Sequence, residues 1–381
     1  MKYPLFKVHV DVSAAMIGIE SVLKSGFINE GAQVSEFKKS FQVYTQSKNV
    51  TLTNSCTSAL TMALKIAGVD NDSEVITTSM TCVATNTPIK HLGGKIIWAD
   101  IDLQTGNICP KSVEKKITKK TKAVICVNWA GLPCDLKLLQ KICNKNNIKL
   151  IQDAAHSLGA EVDGKDICHF ADMTCYSFQA IKHITCGDGG AIICKNDKDY
   201  KLAEKLKWFG LDRDETKDEN GEWKGQRWEQ DIITAGFKFN MNNLAAAIGI
   251  SQIPHMKSLV DKHRKNAKLY SDLFLKNSEI NSLKYPSASS PSFWVYTVLL
   301  DEKINRDKVI EALNSAGINA GLVHVPNHPY TCFKDSFVSL RGVDEFAKRQ
   351  VSLPCGWWLS SEDVNFIAKT LLKLCKNEKQ L

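Results

Sequence analysis

Two rhythms of apolar and polar positions run along this chain. Short apolar runs of strand length occur at 50–53, 74–77, 95–99, 123–127, 149–152, 173–178 and 191–194. Between them apolar residues recur at intervals of three and four, the spacing of one helix face. One such pattern begins at Ser13, runs through Ala14, Ile17 and Leu23, and stops at Gly26. Another follows Gly31 with Val34, Phe37, Phe41 and Tyr44, and a third carries Leu136, Leu139 and Ile142. Strands alternating with helices predict an α/β fold with a mainly parallel sheet covered on both faces. A long amphipathic helix from about 255 to 275 leads into a smaller region, with a strand at 294–300 and a helix at 307–316. The expected division is a large domain over 1–254 and a small α/β domain over 255–381, in keeping with a chain of 381 residues.

Composition narrows the function classes. Hydrophobic residues make up 44% and charged residues 24%, an ordinary soluble balance. No apolar run reaches the roughly 18 to 20 residues of a membrane span, and residues 1–10 lack the apolar core of a signal peptide, so a cytoplasmic protein is expected. The net charge of +8 arises from 49 basic and 41 acidic residues that are dispersed, not gathered with aromatics on one element. That pattern speaks against nucleic acid and fits a solvated surface that attracts phosphorylated substrates. The 13 cysteines include no Cys-x-x-Cys, and Cys126, Cys175 and Cys194 fall inside apolar runs, so neither a disulfide framework nor a metal site is expected. The stretch 212–231 is densely charged, carries Trp223 and Trp228, and reads as a surface excursion facing substrate or partner.

Candidate chemistry centres on Lys182. It lies between two strand-like runs, in a segment that turns glycine-rich at Gly187, Gly189 and Gly190. Desolvation there would lower the lysine's pKa and free its amine as a nucleophile toward a carbonyl compound, pyridoxal phosphate included. The strand at 50–53 runs into Ser55-Cys56-Thr57-Ser58 and a helix, a layout that favours a phosphate, with Thr57 and Ser58 adding hydroxyl donors. Thr57 acting as a helix cap is the plainer alternative. Asp153-Ala154-Ala155-His156 puts an acid at a strand end before two small residues. Such an acid can hold a cationic ring nitrogen and let a flat ring lie close, or simply cap the next helix. The loop His324-Val-Pro-Asn-His328-Pro-Tyr330 is a candidate substrate contact, or a proline-rich turn with incidental histidines.

In their order and spacing, these motifs resemble the DegT/StrS family of pyridoxal-phosphate-dependent nucleotide-sugar aminotransferases over nearly the whole chain. The resemblance rests on Ser25-Gly26-Phe27-Ile28 to Gly31, Ser55 to Leu60, Glu74-Val75-Ile76, Ala99-Asp100-Ile101-Asp102, Gln152 to His156, Ser177-Phe178 to Lys182, Gly189-Gly190 and Gly236 to Met241. It implies a fold-type I enzyme in which Lys182 carries the cofactor and Asp153 pairs with its ring nitrogen. By the same resemblance, His156 contacts the cofactor near its phenolic oxygen. Cys56, Thr57, Ser58 and Ser177 then line the phosphate site, and Cys82 the ring. It also implies a homodimer with shared sites, completed by the segment containing Lys238 and Asn240, and L-glutamate as donor to a nucleotide-diphosphate keto sugar in surface-glycan (O-antigen) pathways. Ile184-Thr185-Cys186 after the lysine leans toward members that aminate C4. Three positions depart from the family pattern. Cys56 replaces a glycine, and Pro354 to Trp358 alters a segment near the substrate pocket. Cys82 replaces the aromatic that stacks on the cofactor, which leaves stacking to another residue such as Trp129. Other outcomes of the same resemblance are a sugar dehydratase, a cyclitol aminotransferase or a non-catalytic cofactor-binding regulator. The dehydrating members carry histidine where this chain has Lys182.

Overall fold

A computed structural model describes residues 1–211, 231–232 and 234–379. All but Asp231 of the charged stretch 212–231 lies outside the described residues. Among the described residues the central sheet has seven strands, ordered Val50–Thr53, Gly190–Cys194, Met173–Ser177, Lys149–Asp153, Thr121–Val127, Glu74–Thr78, Lys95–Ala99. Strand Gly190–Cys194 is antiparallel to both its neighbours, and the remaining pairings are parallel. The mainly parallel sheet expected from the alternation is therefore present.

Side chains leave each strand on alternate faces, and two apolar layers result. On one face Val75, Ile96, Ile125, Ile151, Met173 and Ile192 pack with Leu60 and Met62 of helix Cys56–Ile66. On the other, Val50, Leu52, Ile76, Val124, Leu150 and Ile193 pack with Phe37, Phe41 and Leu139. These last belong to helices Ala32–Thr45 and Leu136–Lys145. Ten of the thirteen cysteines are buried; Cys82 and Cys109 are partly buried, and Cys332 is exposed.

Helix Val12–Ser25 starts where the Asp11 side chain accepts the Ala14 N–H, and ends at Gly26, whose φ of 70° favours glycine. Its buried residues are Ala15 and Val22, while Met16, Ile17 and Leu23 are exposed. The apolar periodicity thus marked the helix correctly but not the side that packs within this chain.

The expected long helix is Met256–Phe274. After it come an antiparallel sheet of Ile280–Ser282, Tyr296–Leu300 and Gln350–Leu353, and helices Arg306–Ser315 and Ser361–Lys379. The first residues of the chain join this smaller body: Tyr3 bridges Ile318, and Trp358 Nε1 donates to Pro4 O at 3.1 Å. A polar clasp links the smaller body to the ends of the central strands. Ser79 Oγ lies 2.7 Å from His328 Nδ1, and Asn86 Nδ2 donates to Asn327 Oδ1 at 2.8 Å.

Candidate active site

The carboxyl ends of the parallel strands converge on one region, and Lys182 reaches it from the long connection between Met173–Ser177 and Gly190–Cys194. Asp153 ends its strand with its carboxylate buried. Thr85 Oγ1 donates to Oδ2 at 2.7 Å, and the Ala155 N–H donates to Oδ1 at 3.1 Å. No helix follows Asp153, so the capping alternative does not apply. Burial pushes the carboxyl up, against the two hydrogen bonds and the charge of Lys182. Lys182 keeps some exposed side-chain surface, yet burial around its amine pulls the pKa down to about 8. Asp153, Cys56 and Cys82 oppose that shift in decreasing order.

Imidazoles close one side. His156 is buried, and its Nε2 lies 3.3 Å from His324 Nε2, with the two rings stacked at 5.2 Å between centroids. Burial first, then Lys182 and His324, hold His156 well below the usual imidazole range. Burial, then Lys182, pulls His324 to about 3. Among the described residues, His156 Nδ1 is buried without a partner. His156 also stacks on Trp294 at 4.1 Å, and Lys182 Nζ lies 3.7 Å from a Trp294 ring centroid. The sequence motifs did not single out Trp294. It precedes the strand Tyr296–Leu300 and meets Ile181, 113 positions away, only through the fold. Trp129, offered as a stacking residue, meets His324 and Phe346 edge-on.

The turn before helix Cys56–Ile66 is capped by Ser55, whose Oγ accepts the Ser58 N–H at 3.1 Å, so Thr57 does not fill the capping role. Cys56 takes the first helical position without a left-handed backbone, and its buried thiol is pushed well up by burial. Strand Gly190–Cys194 presses on this turn: a Cβ at Gly190 would stand 2.5 Å from Cys56 N and Ser55 C. Ser177, paired in register with Gly190, reaches the same edge. Lys238 Nζ donates to Asn240 Oδ1 at 2.7 Å and sits over Trp208, and their segment runs beside the same turn, with Phe239 O accepting the Asn54 N–H. His328 is buried with its ring engaged by Ser79, and Tyr330 lies exposed further along the loop.

The profile of the DegT/DnrJ/EryC1/StrS aminotransferase family matches residues 13–372. The chain belongs to this family. It is 28% identical over 369 residues, 95% of each chain, to the UDP-4-amino-4,6-dideoxy-N-acetyl-beta-L-altrosamine transaminase of Campylobacter jejuni. The solved sugar aminotransferase CalS13 from Micromonospora echinospora superposes with a TM-score of 0.90 at 28% identity, covering 98% of this chain and 100% of that one. The PLP form of a putative sugar aminotransferase, Spr1654 from Streptococcus pneumoniae, superposes with a TM-score of 0.89 at 26% identity, covering 99% and 100%. This DegT-family aminotransferase is a pyridoxal-phosphate enzyme, and its residues suit the group. An unpartnered buried imidazole nitrogen, a buried carboxylate in want of a cation and an amine of lowered pKa meet beside a helix N-terminus.

Proposed function

We propose that this aminotransferase moves an amino group from L-glutamate to C4 of a nucleotide-diphosphate keto-deoxy sugar. The observation that carries the reading is the constellation of Lys182, Asp153 and His156: a depressed amine beside a buried carboxylate and a buried imidazole with one nitrogen left over. The Campylobacter relative, whose name describes a UDP-linked 4-amino sugar, supports the substrate class and the C4 position.

When bound, pyridoxal phosphate supplies an electron sink for charge developing on the carbon that bears the amino group. Lys182 would hold it through its aldehyde carbon, Asp153 its ring nitrogen and His156 its phenolic side. The turn Cys56-Thr57-Ser58 with Ser177 would hold its phosphate, and Cys82 would border the ring. As a free amine, Lys182 Nζ would take a proton from the donor's α carbon and later deliver one to C4 of the sugar. Asp153 stays ionised against the ring nitrogen's charge. His324 and Tyr330 border the substrate side, and His328 shapes it through its bond to Ser79.

A homodimer with shared sites is part of the proposal, with Lys238 and Asn240 reaching the partner's cofactor. Val8, Val10, Val12, Met16 and Ile17 are exposed, and the first four line a groove of 270 Å³ that extends to Ala180 and Gly187, on the connection that carries Lys182. An apolar surface that runs onto the connection carrying the reactive lysine fits a second copy of the chain.

Borohydride reduction of the cofactor-loaded protein, followed by peptide mass spectrometry, tests the site: the adduct is expected on Lys182. A panel of nucleotide-linked 3-keto and 4-keto sugars with glutamate tests the substrate, with a 4-amino product and parallel initial-rate lines expected. An adduct on another side chain would sink the site assignment; a 3-amino product alone would sink the C4 assignment.

A further inference from the structure

We propose that Trp294 is a positioning residue for the reactive lysine: its indole face is the platform that receives the Lys182 ammonium. The proposal rests on the reading that Lys182 bears the cofactor.

Geometry carries it. Lys182 Nζ lies 3.7 Å from a Trp294 ring centroid, well inside the range of a cation–π contact. The indole is fixed on several sides. Its Nε1–H donates at 2.8 Å to the carbonyl of Ile181, the residue before the lysine, so platform and lysine are tied to one another. Phe6 stacks on it at 4.6 Å and 23°, and His156 at 4.1 Å and 17°. Trp294 itself is 3% exposed. Among the described residues no hydrogen bond or ion pair engages Lys182 Nζ, which leaves the ring as its contact partner.

An aromatic face suits a lysine that must alternate between states. A carboxylate in contact would hold the ammonium charged and in place. A quadrupole attracts the cation without demanding a directed hydrogen bond, so the neutral amine leaves freely. The other charged and titratable groups around the amine are Asp153, Cys56 and Cys82, which favour its charged form, and His156, His183 and His324, whose own charging it disfavours.

The test uses the full chain freed of cofactor. Competitive acetylation across pH, read at the Lys182 peptide by mass spectrometry, reports the amine's midpoint, expected near 8 in the wild type. Loss of a cation–π contact lowers that midpoint, by about 0.4 to 1.5 pH units in Trp294→Leu, whereas Trp294→Phe stays within about half of that fall. A residue that merely fills space gives the opposite sign, since removing it admits water and lets the midpoint climb. An unchanged or higher midpoint in Trp294→Leu therefore overturns the proposal. Should that variant fail to fold by circular dichroism, fluorinated tryptophans in the wild-type chain weaken the ring's field without altering its shape. A midpoint falling stepwise with added fluorine supports the platform, and a flat series overturns it. Borohydride mapping of the loaded wild type keeps the two readings apart. An adduct on Lys182 with an unmoved midpoint overturns the platform alone, and an adduct elsewhere overturns both.

Discussion

Lys182 and Asp153 each sit where their charged form is disfavoured, and each supplies part of what the other lacks. In Asp153→Asn the buried acceptor remains but its charge does not. Amino transfer should fall on the order of 10²- to 10³-fold while borohydride still traps the cofactor on Lys182, which steady-state kinetics and mass spectrometry of one preparation would show. The lysine also sets a pH signature. Its folded pKa of about 8 lies below the 10.5 of a free lysine, so between those values the unfolded chain binds more protons. Stability of the cofactor-free protein should therefore rise with pH across that window and be flat in Lys182 below it. Urea unfolding of wild type against Lys182→Met isolates the contribution, at most about 3 kcal/mol and less after solvent screening. A difference between the two proteins that does not grow between pH 8 and 10 would contradict the buried-amine assignment.

At the scale of elements, the central fact is how tightly one strand is pressed on one helix start. At Gly190 the clash of an added Cβ is with backbone atoms of Ser55 and Cys56, which cannot swing aside. Gly190→Ala should cost about 1–3 kcal/mol in unfolding free energy and weaken cofactor retention together, by calorimetry and by equilibrium dialysis. A stable variant that keeps its cofactor would argue against the turn as the phosphate site. Most elements were legible in the sequence because apolar spacing is a local property: the strands, the helix Met256–Phe274 and the lysine between strands follow from it. What decided the site was not local. Trp294 reads as one more strand residue until the fold sets it against Lys182. His328 reads as a free histidine until Ser79, 249 positions away, takes its Nδ1. Ile17 and Leu23 read as a core face because periodicity locates a stripe without saying what lies against it.

For the whole molecule, that exposed stripe bears on assembly. If a second copy covers Val12, Met16 and Ile17, then Ile17→Asp should shift the protein toward a monomer in light scattering. It should also lose cofactor retention, since the groove beside Met16 runs on to Ala180 and Gly187 in the connection that carries the lysine. A variant that remains dimeric would place the interface elsewhere. The smaller body is held to the strand ends by the Ser79–His328 and Asn86–Asn327 bonds, and the first residues lash Phe6 onto Trp294. Removing the clasp with Asn327→Ala should lower the melting temperature by leaving Asn86 and the Thr81 carbonyl without their bonds to it, a loss of roughly 1–3 kcal/mol.

The uneven burial of the thiols has a practical use. Cys332 stands out in solvent two residues after Tyr330, while ten of its counterparts are shielded. Brief treatment with a maleimide dye should therefore tag that loop first. Fluorescence from such a tag should change on addition of a sugar nucleotide if the loop borders the proposed substrate side, with no engineered cysteine required.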